Sequence, residues 1–224
     1  MNPPDNTFTL GDIFYTQQED KFNLFKLIKF DAEFNTYHVK IYAPVASLPA
    51  VEELDNLSVI AYHAPIDKNG FENPTLLYST SIEDEDLIGY LEYIKQTGNV
   101  DEVVQYASKY YKEAYQLSNQ KKHEEAIGKY SKAIELIPHF FEAIDNRAFC
   151  KMDLGRWKEA IEDFKHSLVV NPNSFLAIFS IGECYFKSSD YAQAKDYFEQ
   201  AILINPEHEL PRKFLAQTLE QLEA

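Results

Sequence analysis

Three prolines set the frame for everything else in this chain. Pro138, Pro172 and Pro206 each follow an apolar run (IELIP, LVVNP, ILINP), and they recur every 34 residues. The same period relates Ala126, Ala160 and Ala194, then Tyr130, Phe164 and Phe198. It also relates Ala133, Ser167 and Ala201, and Ala114, Ala148 and Gly182. A chain that repeats at this length is a stack of small units, none of which can bury its apolar face alone. Ala126, Tyr130, Ala133, Ile134 and Ile137 fall on one helical stripe. The small residues let two helices approach, the aromatics fill the space between units, and proline ends each unit. Residues 110–117, 144–152 and 178–186 also read as helices, so each unit is a helix–turn–helix. Leu215, Leu219 and Leu222 form a last stripe with a polar opposite face, the pattern of a capping helix.

This pattern resembles the tetratricopeptide repeat over about residues 107–208, with three repeats. The first-helix Trp of that family is replaced here by Tyr110, Ile144 and Ile178. The resemblance implies a solenoid whose first helices line a concave groove. It assigns the peptide-binding positions to Tyr111, Tyr115, Asn146, Phe149, Met152, Phe179, Glu183, Phe186 and Lys187. Glu142, Asp145, Leu176 and Ser180 share the same groove register. Some family members hold the C-terminal carboxylate of chaperones with a Lys/Asn/Arg clamp. Here Tyr111, Tyr115, Leu176 and Ser180 occupy four of those positions and only Asn146 is retained. One amide without cations holds a carboxylate weakly, so a chaperone tail is disfavoured. The aromatic groove instead calls for an extended, partly apolar segment, or for cover by the front of the chain or a second copy.

The front of the chain is different. Residues 12–16, 22–30, 36–42, 57–63 and 75–79 are β-branched and aromatic runs separated by turn residues. Short connections imply an antiparallel sheet or small barrel. Ser81-Ile82-Glu83-Asp84 reads as a capping box opening a helix, with the acidic run 83–86 in its first turn and Gly98 ending it. A second helix starts near Asp101. The expected architecture is α+β, a small antiparallel β-rich module followed by an α-helical solenoid. Its parts are residues 1–80, linking helices over 81–106, and the solenoid with its capping helix over 107–224. The opening GDIFYTQ…KFNLFKLIKF resembles small β-rich bacterial immunity proteins, which neutralise secreted toxins.

Charge restricts the partners. The net charge is −15, and residues 1–100 hold 16 acidic side chains against 6 lysines and no arginine. Such a body repels phosphate backbones and anionic lipid, so neither nucleic acid nor membrane is expected. No apolar run approaches a membrane span and MNPPDNTFTL has no leader pattern, which points to the cytoplasm. Cys150 and Cys184, one repeat apart, read as small core residues about 10 Å from each other. His38 and His63 lie on predicted strands that could bring them together, with Asp67 nearby for acid–base work. Ordinary strand histidines fit the same pattern. No metal, phosphate-loop or nucleophile motif is present, so no cofactor and no catalysis are expected. The expected function is protein binding through the groove. The alternative is an immunity-type or adaptor protein whose acidic front module blocks a basic partner.

Overall fold

The structure, a computed structural model, describes residues 8–223 in two compact units, Met1–Val100 and Asp101–Ala224. Most of the stretch inspected for a leader lies outside the described residues.

The first unit is a five-stranded antiparallel sheet. Its strands are β1 (Asp12–Gln18), β2 (Lys21–Asp31), β3 (Thr36–Tyr42), β4 (Val59–Asp67) and β5 (Thr75–Ser79), in the order β4-β3-β2-β1-β5. Alternation sorts the side chains onto two faces. One face is an aromatic cluster in which Phe14, Leu27, Tyr37 and Val39 pack with Phe8 and Phe71. The Phe8 and Phe14 rings stack with centroids 4.3 Å apart, and Phe71 meets Phe14 edge-on at 5.0 Å. The other face carries Ile13, Leu24 and Tyr42, covered by Leu54 of a 3-10 turn (Val51–Asn56) and by Leu57.

Helix α1 (Ile88–Thr97) belongs to this unit and ends at Gly98, which takes a left-handed φ of 71°. It starts seven residues after Ser81, so the expected capping box does not open it. The acidic run is therefore not a helical first turn. Lys26 and Lys40 explain why. Both lie on the second face with little exposure, and Asp86 turns inward to meet them at 2.5 and 2.9 Å. Asp86 also accepts the Glu83 N–H at 3.1 Å. Satisfying two sunken ammoniums outweighs the smaller gain of an acidic side chain at a helix start.

The second unit is all helix: α2 (Val100–Asn119), α3 (His123–Leu136), α4 (Phe141–Asp153), α5 (Trp157–Val170), α6 (Phe175–Lys187), α7 (Tyr191–Ile204) and α8 (Glu209–Glu223). The linking helices expected over 81–106 are thus divided, α1 with the sheet and α2 as the first helix of the array. The periodic residues are its core. Ala126, Ala160 and Ala194, and Tyr130, Phe164 and Phe198, are all fully buried. Helices α3, α5 and α7 each stop two residues before their proline, because the residue preceding proline is driven out of helical geometry. The hairpin turns also keep the period. Lys121, Gly155 and Ser189 all take left-handed φ, of 60°, 72° and 63°. Each is followed by an N–H that bonds back five residues, from Lys122 to Leu117, Arg156 to Lys151 and Asp190 to Tyr185.

Helix α8 caps the array through a different stripe from the one expected. Pro211 and Thr218 are buried and Phe214 and Leu215 half-buried, while Leu219 and Leu222 are exposed. Phe214 decides the rotation, because its ring fits among Phe179, Phe186 and Phe198 at 5.4–5.8 Å.

Candidate peptide-binding groove

Helices α2, α4 and α6 are the first helices of the three hairpins and carry the expected binding side chains. Tyr115 stands 51% exposed on α2. One turn earlier Tyr111 is half-buried against Phe140 and Tyr130, with ring centroids 5.1 and 5.8 Å away. Its hydroxyl accepts a bond from Asn146 Nδ2 at 3.1 Å. The same Nδ2 donates to the Glu142 carbonyl at 2.9 Å, so the donor end of Asn146 is spent inside the fold. Burial, then the Glu142 carboxylate, raises the Tyr111 phenol above its ordinary pKa. On α4, Phe149 meets Phe164 edge-on at 5.1 Å, and Met152 packs on the same cluster; both keep part of their surface open.

The third hairpin departs from expectation. Phe179 is only 7% exposed, packed against Phe175, Phe198 and Phe214. It is a core residue of the cap, not an open lining residue. Phe186 is half-buried between Tyr191 and Phe214. Glu183 is half-buried with its carboxyl raised by burial and eased by Lys187, which is exposed. Sequence reasoning passed over Phe214, yet the signal was present. Phe214 lies 34 residues after Ser180 and 68 after Asn146, so α8 continues the period as the first helix of an unfinished fourth unit. The contacts Tyr111–Asn146 and Phe179–Phe214 are the same register pair, two repeats apart.

Two other charged clusters frame the chemistry. Asp163 of α5 accepts bonds from Arg147 Nε and Nη2 (2.9 and 2.6 Å) and pairs with Lys151 at 2.8 Å. Asp145, one turn from Glu142 on the groove stripe, is 9% exposed and its Oδ1 has no hydrogen-bond partner. Burial raises its carboxyl despite Ser167 alongside, and Glu142 and Asp163 raise it further.

Cys150 and Cys184 are buried free thiols, both raised by burial, Cys184 to about 12. His38 and His63 do meet, Nδ1 to Nε2 at 2.8 Å, under the rings of Tyr90 and Tyr93 from α1. Burial and then His38 lower His63 to about 4. Asp67 takes no part, since it accepts bonds from Asn69 N–H and Asn35 in its own turn. Among the described residues no group of three or more His, Cys, Asp or Glu gathers as a metal site, and no helix is long and apolar enough to cross a membrane.

Comparison with known proteins decides the fold. Residues 176–208 match the tetratricopeptide repeat family. The first TPR of Spaghetti (RPAP3), solved bound to the HSP90 peptide SRMEEVD, superposes with a TM-score of 0.52 at 21% identity. That match covers 54% of this chain and 96% of the other. The second unit has the tetratricopeptide-repeat fold. The Arabidopsis OM64 TPR domain matches at 0.50 and 16% identity, over 53% of this chain and 98% of its own. The Hsp90 co-chaperone Cns1 from Saccharomyces cerevisiae matches at 0.50 and 22% identity, over 55% of this chain and 41% of its own. Comparison with curated sequences yields no match. These tetratricopeptide-repeat matches reach only about half of the chain, and within that half the register of Tyr111, Asn146 and Phe214 follows the repeat.

Proposed function

We propose that the tetratricopeptide array is a non-catalytic interaction module that holds an extended, partly apolar segment of another protein. The carrying observation is the row of Tyr115, Phe149 and Met152, apolar side chains left open on successive first helices while the periodic core beneath them is closed. The peptide bound by the first TPR of Spaghetti (RPAP3) supports use of this fold for peptide binding. The cationic clamp positions are filled by Tyr111, Tyr115, Leu176 and Ser180, which argues against an acidic tail as the ligand here. The test is capture from a random 12-residue display library by the full chain and by a Tyr115→Ser, Met152→Ser variant. Capture should fall at least tenfold in the variant while its helical circular dichroism stays the same. Equal enrichment by both proteins would remove the groove from the account.

A second reading has its own observation. The first unit holds a cavity of about 460 Å³ whose floor is the Lys26–Asp86–Lys40 cluster and whose lining includes Asp55, Glu83 and Glu85, all exposed. An acidic concave mouth suits a basic partner protein. Salt-sensitive capture of such a partner, lost on reversing Asp55 and Glu83 to Lys, supports this reading; salt-independent capture contradicts it.

A further inference from the structure

We infer that the groove recognises a cationic side chain, lysine or arginine, set among apolar residues of the bound segment, and that Asp145 is its counter-charge. This rests on the groove reading above and names the chemistry of its ligand.

Two aspartates of one repeat are buried. Asp163 is 5% exposed and Asp145 is 9% exposed. An ionised carboxylate at such depth needs a partner. Asp163 has Arg147 and Lys151, the two cations of α4, and engages them at 2.6–2.9 Å. Asp145 is left without a counter-ion among the described residues, and its Oδ1 accepts no bond. Burial works most strongly against its charge, Glu142 and Asp163 add to that, and the neutral Ser167 on α5 works the other way. A buried acid that destabilises its own fold in this way marks a site built for something else.

Its position says what that is. Residues 142, 145, 146, 149 and 152 form one stripe of α4. Glu142 is exposed on it, and Asn146, Phe149 and Met152 are half-buried, with Asp145 the deepest. Tyr111 borders the same stripe through its bond to Asn146. Glu183 on the next first helix is a second carboxyl held up by burial. An acidic floor between apolar walls fits the aliphatic stem and charged head of lysine or arginine, and the nearby Tyr rings favour a cation over an anion. It repels a terminal carboxylate. The electrostatics are the reverse of those required by the acidic peptide SRMEEVD.

The experiment selects 12-residue peptides from a random display library on the full chain, then measures the best binder and its Lys/Arg→Gln copy by fluorescence anisotropy. Lysine or arginine flanked by apolar residues should be enriched. Asp145→Asn should weaken the binder at least tenfold, without lowering the thermal midpoint, because it removes an unpaired buried charge. Affinity should also fall as pH drops through the carboxyl range, since the ligand binds the ionised acid and releases its proton. Peptides enriched without basic residues overturn the inference and leave the groove reading intact. Basic peptides that bind Asp145→Asn unchanged overturn the role of Asp145. Enrichment no better than that of the Tyr115→Ser, Met152→Ser variant overturns both readings.

Discussion

Three of the buried aspartates, Asp86, Asp145 and Asp163, show one residue type in two roles. Asp86 and Asp163 each serve two cations. Burial alone would raise the Asp86 carboxyl, but bonds from Lys26, Lys40 and the Glu83 N–H hold it below its ordinary value. Replacing Asp163 by Ala strands a guanidinium and an ammonium, and should cost about 3–5 kcal/mol in urea unfolding followed by helical circular dichroism. A loss below 1 kcal/mol would show that the cations find water instead. The histidine pair gives a pH prediction. His63, lowered to about 4, stays neutral in the fold while the unfolded chain takes up its proton near 6.5. Its contribution is therefore complete above pH 6.5 and declines as pH falls toward 4. Asp86 adds a further loss below its unfolded value of 3.8, with the same sign. Thermal midpoints read at pH 7, 5.5 and 4 should fall steadily, and His63→Gln should flatten the change between the first two.

Among elements, the turns and the helix starts carry the information. The left-handed turn residue at 121, 155 and 189 is glycine only once. Lys121 and Ser189 hold that geometry at a cost that glycine lacks, so Ser189→Gly should raise the unfolding free energy by about 1 kcal/mol. A drop would mean that the Ser188 and Ser189 turn depends on its side chains. Gly182 has the opposite constraint. It stands in the register of Ala114 and Ala148, but a Cβ there would lie 2.7 Å from the Phe198 ring, which is fully buried. Gly182→Ala should therefore destabilise by about 1–3 kcal/mol, visible as a lower urea midpoint. The register identified a small residue at this position; that only glycine fits depends on how closely α7 brings Phe198. Gly89 is similar, with a Cβ falling 2.6 Å from the Tyr62 carbonyl carbon, which explains how α1 can lie against β4. The capping box at Ser81 shows the limit of local signals. Its residues are right for a helix start, but Asp86 is drawn to lysines 60 and 46 residues away.

At the scale of the whole molecule, a repeat array needs an end. Helix α8 supplies it by placing Phe214 over Phe179, Phe186 and Phe198. A chain ending at residue 208 should bind anilinonaphthalene sulfonate and unfold at lower temperature than the full chain. An unchanged midpoint would show that the three repeats suffice alone. The cap also settles how far the candidate groove extends. It buries Phe179, so on the third hairpin the exposed apolar side chain of the groove register is Leu176, beside Tyr115, Phe149 and Met152 on the first two.

The sequence by itself determined the repeat, its 34-residue period, the buried alanines and aromatics, and the strand segments of the front half. These follow from side-chain periodicity, which is a local property of the chain. It also assigned the expected groove residues to segments that fold as α2, α4 and α6. Only the tertiary structure decided which of them remain open, because Phe179 is closed by a ring 35 residues later and Asn146 by one 35 residues earlier. It alone separated Asp163 from Asp145. Both are acids at helical spacing in one repeat, and what distinguishes them is which cations the packing brings within 3 Å.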